Sequence, residues 1–345
     1  MTKTRSSRPI PTLDDVARKA GVSTATVSRC INTPDRVVEA TRAKVTKAIE
    51  SLGYTPNFGA RVMAAKRTFT IGAIVPTMEN SIFARGLQAF QEQLHSHGYT
   101  LLVSSSAYDP KIEEEQVRAL VARGADGLML IGYDRDAAIY KYLERQSVPA
   151  LIAWAYAPQT PRPAIGFDNR AAMAMIADAV LAQGHRHIAV ISAHVKGNDR
   201  AAERVEGIRA SLHTRDLQPE HIIETSYDVD AGAQAMTELM HKTPRPTAVI
   251  CGNDVLAAGA LRAARDMGLE VPKDVSLTGF DDMDLAQVVT PALTTMHVPH
   301  REMGRIGADM LIAMVEGAAP PAPVQLPTTL QRRASLGPAP TRTPV

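Results

Sequence analysis

The sequence predicts an α/β protein in two parts: a small N-terminal three-helix unit, then a large body of parallel sheets covered by helices. Three observations predict it. Residues 12–32 read as two short helices joined by a tight turn. From Thr70 onward, short apolar runs alternate with longer amphipathic segments, the pattern of parallel strands joined by helical crossovers. The third is charge: residues 1–67 hold 13 Lys/Arg against 5 Asp/Glu, yet the whole chain carries only +2. A basic end therefore precedes an acidic body, the footprint of a protein that docks a polyanion through one end. At 345 residues the chain suits one small domain and one large one.

In the N-terminal unit, Leu13, Val16, Ala17 and Ala20 recur at i, i+3, i+4 and i+7, one apolar helical face. Thr12 and Asp15 have the spacing of a capping box, Gly21 ends the helix, and Ser23 caps the next with Val22 and Val27 at staple positions. So short a turn holds the helices at a steep angle, so that the second enters a major groove while the first braces against the backbone. This is a helix-turn-helix, and its expected partner is double-stranded DNA. Over 24–31, Val27, Cys30 and Ile31 face inward and Thr24, Ala25, Ser28 and Arg29 face the groove. Arginine bridges O6 and N7 of guanine, worth ~1–3 kcal/mol of discrimination, and Thr24 and Ala25 suit a thymine methyl. Ser23, Thr26, Asn32 and Tyr54 are placed to hold phosphates. For Thr26 and Ser28 the plain alternative is helix capping or helix surface. A third helix, 39–52, closes the core with Val45, Ala48, Ile49 and Leu52.

In the body, candidate strands are 71–75, 100–103, 127–131, 150–153, 187–191, 248–251 and 275–278, with helices at 83–95, 110–122, 170–182, 201–212 and 255–267. Ligands of such folds sit at the carboxyl ends of the strands, which directs attention to the loops there. Those loops lead to Asn80 and Phe83, Trp154, Asp168-Asn169, Arg204, Tyr227, Asn253-Asp254 and Asp281-Asp282. The chemistry fits a polyhydroxylated ligand: carboxylates accept from paired hydroxyls, arginine donates two parallel bonds, and aromatic faces cover the C–H side of a sugar. Each has a plainer reading too, Asn253 as a helix cap and Asp168 or Asp281 as acceptors of local backbone amides.

Other classes of function find no support. Cys30 and Cys251 lie in different parts of the chain and imply neither a disulfide framework nor a metal site. Gly184-His185-Arg186-His187 lacks cysteine or acidic partners, so no metal is expected. No Walker A loop, dinucleotide fingerprint, nucleophile elbow or catalytic constellation occurs, so neither an enzyme nor a cofactor is expected. A basic N-terminus without an apolar run, and no 18-residue apolar stretch elsewhere, point to a cytoplasmic protein that does not enter a membrane. The end of the chain after about residue 330 carries no apolar heptads for a coiled coil.

Residues 12–32, followed by Leu52-Gly53-Tyr54-Thr55-Pro56-Asn57 and Thr70-Ile71-Gly72, resemble the signature of the LacI/GalR family of bacterial repressors, over about 12–330. The resemblance implies a DNA-binding headpiece (1–56), a hinge helix and linker (57–69) and an effector-binding and dimerisation domain (70–334) like periplasmic sugar-binding proteins. It implies an N-lobe of about 70–164 and 293–322, a C-lobe of about 165–292 and 323–334, and a disordered tail at 335–345. Thr24, Ala25 and Arg29 become the main base readers. The hinge contributes Asn57 and Arg61, and Met63 stands where the family places a leucine wedge for the minor groove. Val38 stands where the family usually caps the third helix with Ser or Thr, a loss of ~1 kcal/mol. Arg204, Asp168, Asn253 and Asp281 fall at effector-bonding positions, with Phe83, Trp154 and Tyr227 as apolar walls.

The implied protein is a homodimeric repressor on a near-palindromic operator, controlled by a small effector between two lobes. The alternatives are a cytoplasmic sugar-binding protein without a regulatory role and a global regulator that needs a protein coregulator. The stretch 166–169 also resembles gluconate-type regulators, which favours a sugar acid, while a carboxylate at Asp281 would repel one. Sugar and sugar acid both stay open, as do inducer and corepressor.

Overall fold

The computed structural model describes residues 11–55 and 67–341, the side chains of Asn32 and Pro34 excepted. The chain divides into two compact units, 1–68 and 69–345. The expected hinge residues Asn57, Arg61 and Met63 lie outside the described residues, as does the side chain of Asn32.

In the first unit, α1 (Leu13–Ala20) opens on the expected capping box: the Thr12 hydroxyl accepts from Asp15 N, and Thr12 N donates to the Asp15 carboxylate at 2.9 Å. Gly21 ends it at φ 67°, a left-handed conformation that costs glycine nothing. Ser23 caps α2 (Thr24–Asn32), accepting from Thr26 N at 3.2 Å. A 3-10 turn, Pro34–Arg36, leads to α3 (Glu39–Leu52). Val38 precedes α3 with no side-chain cap bond and is 75% exposed. The core joins Val16, Ala17, Val27, Val45, Ala48 and Tyr54, with Cys30 and Ile31 packed against it.

In the second unit, two parallel sheets carry the chain. The first holds β1 (Thr70–Val75), β2 (Thr100–Ser105), β3 (Gly127–Ile131), β4 (Ala150–Ala153), β5 (Ala164–Gly166) and β11 (Val324–Gln325), in the order β2-β1-β3-β4-β5-β11. The second holds β6 (Ile188–Ala193), β7 (His221–Thr225), β8 (Ala248–Cys251) and β9 (Ser276–Thr278), in the order β7-β6-β8-β9. β10 (Thr295–His297) and β12 (Thr329–Gln331) form an antiparallel pair. The helices are α4 (Ser81–Ser96), α5 (Pro110–Ala122), α6 (Ala137–Arg145), α7 (Asn169–Ala182), α8 (Asp199–His213), α9 (Val229–Met240), α10 (Asp254–Asp266), α11 (Asp284–Val288) and α12 (His300–Val315). β1, β3 and β6 are buried along their whole length, which is why they read as continuous apolar runs. α4 and α12 cross closely at two glycines; a side chain on Gly304 would collide with the Gly86 carbonyl.

The chain passes between the two sheet systems between β5 and α7, between β10 and α12, and between β11 and β12. These passages differ from the expected lobe boundaries. β5 extends the first lobe to Gly166, and β11 belongs to that lobe because Val324 and Gln325 pair with Ile165 and Gly166. β10 joins the second lobe, since Thr294 bridges Thr278 beside β9. The expected disordered tail is also corrected as far as it is described. Ser335 is fully buried, its amide donates to the Ala292 carbonyl, and its hydroxyl donates to the Leu277 carbonyl at 2.6 Å. His185 and Ser276 hold Gly337, and Ala339 N donates to the Gln183 carbonyl. Small and proline-rich composition hid a segment held by its backbone groups and the Ser335 hydroxyl.

Candidate functional site

The outer face of α2 is the first candidate. Ala25 and Arg29 are exposed, and Thr24 and Ser28 are half-buried. The Thr26 hydroxyl lies 2.9 Å from that of Ser23, so both sit in the helix cap that was the plain alternative for Thr26. Tyr54 is only 8% exposed and packs in the headpiece core. Its ring therefore serves packing.

The second candidate is a cavity of about 370 Å³ at the carboxyl ends of the strands. Asn80 and Tyr108 line it from the first lobe, and His194, Lys196, Asn198 and Tyr227 from the second. The rings of Tyr108 and Tyr227 approach to 6.2 Å. Tyr108 is held out by consecutive left-handed residues, with Ala107 at φ 51° and Tyr108 at φ 59°. Burial, and then the neighbouring Tyr227, raise its phenol above the ordinary range; Arg204 and Asp281 also act on it.

Arg204 and Asp281 form a buried polar group beside Tyr108. Arg204 is 5% exposed; its Nε donates to Asn169 Oδ1 and its Nη1 to the Gly252 carbonyl, both at 2.9 Å. The guanidinium lies over the Phe280 ring at 3.7 Å, a contact that gains strength in a desolvated site. Asp281 is 2% exposed, and neither of its carboxylate oxygens has a hydrogen-bond partner among the described residues. Arg204 Nη2 stands 3.6 Å from Asp281 Oδ1, an ion pair too long for a good hydrogen bond. Burial outweighs the arginine and pushes the Asp281 carboxyl up to about 6. Asn253 accepts at Oδ1 from Leu256 N at 2.9 Å, capping α10, and its Nδ2 is buried without a hydrogen-bond partner among the described residues.

This geometry coincides with what the chain resembles. Residues 12–57 match the family of bacterial regulatory proteins of the lacI type, and residues 177–336 a periplasmic binding protein-like domain. The transcriptional regulator GntR of Escherichia coli K12 is 31% identical over 308 residues, covering 89% of this chain and 92% of GntR. The repressor CytR of the same strain is 33% identical over 319 residues, covering 91% and 93%. The chain belongs to the LacI family. Among solved structures, the lac repressor dimer bound to operator and the anti-inducer ONPF superposes with a TM-score of 0.85 at 29% identity, covering 95% of this chain and 99% of that one.

As a LacI-family member the chain is a DNA-binding transcriptional regulator and not an enzyme. Of the seven expected effector residues Tyr227 alone is among those that line the cavity; Arg204, Asn253 and Asp281 are buried and do not line it. Asp168 is half-buried and accepts from Ala171 N at 2.8 Å, so it caps α7. Phe83 and Trp154 are 2% and 1% exposed and meet edge-to-face at 5.4 Å, which makes them core residues, not walls open to the cavity. An aromatic residue after a strand reads the same in sequence whichever side it packs on.

Sequence reasoning did not single out Tyr108, His194, Lys196 and Asn198, although the strand-end rule points at the loops after β2 and β6 that carry them. It placed Asn169 in a strand-end loop but not its bond to Arg204, and it passed over His300, the partner of Trp154. No spacing in the sequence signals either contact. Across the lobes, the loop after β3 meets α8: Asp199 Oδ2 accepts from Tyr133 N at 2.6 Å, and Arg200 donates to the Ile131 carbonyl at 3.3 Å. Gly132 between them, at φ 72°, leaves room for Asp199 and Arg200 that any Cβ would fill. On the other side Arg85 of α4 pairs with Asp284 of α11. Among the described residues no group of three or more His, Cys, Asp and Glu is placed to hold a metal, and no helix is long and apolar enough to cross a membrane.

Proposed function

We propose that this regulator is a homodimeric repressor that reads a near-palindromic operator, and that a sugar or sugar-acid effector held between the lobes sets its affinity for DNA. The buried atoms without a hydrogen-bond partner among the described residues, the Asp281 carboxylate oxygens and Asn253 Nδ2, carry the reading. Buried polar atoms cost free energy unless satisfied, and a polyhydroxylated ligand at the strand ends satisfies them. Thr24, Ala25, Ser28 and Arg29 read bases, and Asn57, Arg61 and Met63 engage the operator from the hinge. The operator-bound dimer to which this chain is similar supports the two-fold assembly, since protein symmetry then matches two half-sites. A cytoplasmic location follows from that role.

The test is fluorescence anisotropy of labelled DNA from upstream of the protein's own gene, with competitor DNA and then with a panel of sugars and sugar acids. The expected result is binding that competitor does not displace and that one compound changes. In Arg204→Ala that compound should lose its effect while DNA binding persists. Weak binding erased by salt and indifferent to every compound, on operators selected from random sequence as well, overturns the reading.

A further inference from the structure

His300 opens α12 and is 4% exposed. The indole N–H of Trp154 donates to its Nδ1 at 3.2 Å. Indole nitrogen is only ever a donor, so Nδ1 is the bare nitrogen and the ring proton of neutral His300 sits on Nε2. Burial, with Arg204 and Arg85 nearby, pushes its pKa down to about 3, so the ring is neutral. Nε2 therefore carries a buried N–H, and it has no hydrogen-bond partner among the described residues. It faces Asp281, with Oδ1 at 4.0 Å, and the Asp281 backbone offsets part of the lowering. Arg204 Nη2 approaches the same Oδ1 at 3.6 Å.

Two donors and one acceptor thus converge at distances too long to satisfy one another directly. A hydroxyl is the group that matches them, since it accepts from N–H donors and donates to a carboxylate. A ligand carboxylate would accept from His300 and Arg204 but would set its charge against Asp281. The cavity beyond supplies no surplus of fixed positive charge: Lys196 lines it together with the acidic Glu79 and Asp228.

Resting on the effector reading above, the geometry points to His300 as a specificity-determining residue that, with Arg204 and Asp281, receives a hydroxyl of a neutral sugar and disfavours the corresponding sugar acid. Trp154 then acts as a positioning residue, because its indole fixes which His300 nitrogen carries the proton.

Trp154 is the single tryptophan of the chain, so intrinsic tryptophan fluorescence of the full-length protein reports on this subsite directly. The probes are matched pairs of neutral aldoses and their aldonic acids, glucose with gluconate and galactose with galactonate among them, extended through the common pentoses and hexoses. The expected result is that a neutral sugar changes Trp154 emission and binds at least about tenfold more tightly than its acid. His300→Gln keeps a hydrogen-bond acceptor and an N–H donor and should retain part of that affinity. His300→Leu should lose about tenfold or more, with circular dichroism checking that each variant is folded. An aldonate that binds more tightly than its parent sugar overturns the inference and leaves the broader effector reading standing. Unchanged affinity in folded His300→Leu overturns it as well. If neither class binds, the sugar reading itself falls, and this inference with it.

Discussion

Asp199 accepts the backbone N–H of Tyr133 at 2.6 Å, so the first turn of α8 in one lobe grips the loop after β3 in the other. The same carboxylate holds Arg200 at 2.9 Å, and Arg200 reaches on to the Ile131 carbonyl. Asp199→Ala releases all of this and leaves a backbone donor without its acceptor. It should cost ~1–3 kcal/mol in urea unfolding. Asp199→Asn keeps an acceptor oxygen and should cost less, and equal costs for the two would show that the Tyr133 bond contributes nothing.

Asp254 should give the sensor a measurable pH dependence. Burial pushes its carboxyl up to about 7, against the opposing hydrogen bonds from Thr295 and Met283 N. The folded chain then holds this proton more tightly than the unfolded chain, where the group titrates near 3.8. Its contribution to stability is full below about pH 4 and is lost as pH rises through about 7. Wild type should therefore lose stability relative to Asp254→Asn across that window, by at most about 1.4 kcal/mol per pH unit. Denaturant titrations of both proteins at several pH values check it; parallel pH curves would refute it.

Val38 offers a gain. It stands before α3 with an exposed side chain that makes no cap bond. Val38→Ser supplies an oxygen for the first turn and should stabilise α3 by ~1 kcal/mol. Amide hydrogen exchange of α3 in the full chain reads this locally, with slower exchange expected.

Arg29 is the exposed arginine of α2. Arg29→Ala should flatten discrimination among operator variants by ~1–3 kcal/mol at the base pair it reads, measured by competition binding. A uniform loss across all variants would instead mark Arg29 as a phosphate contact.

Legibility in the sequence followed physical cause. β3, β4 and β8 match the expected ranges because strands buried along all or nearly all of their length show as unbroken apolar runs with sharp ends. α12 did not stand out. It begins after Pro299 with no side-chain cap and contains two poor helix formers, Gly304, which lets α4 approach, and Gly307, which faces Ile165 and Leu151 of the sheet. β11 is two residues long and is a strand only by pairing with β5. At the site, Arg204 and Asp281 were accessible through the strand-end rule. His300, the inward packing of Trp154 and the bond from Arg204 to Asn169 were not, because each depends on a neighbour distant in sequence.

The first lobe takes its last strand from residues 324–325 and its α12 from residues 300–315, packed on α4 more than two hundred residues earlier. A ribosome must therefore release the chain through residue 325 before that lobe can close. The helix-turn-helix unit is compact by itself and emerges before it. During synthesis, each nascent chain thus carries a formed DNA-reading surface well before it has a working effector sensor. Products of early termination should keep that reader without the part that governs it.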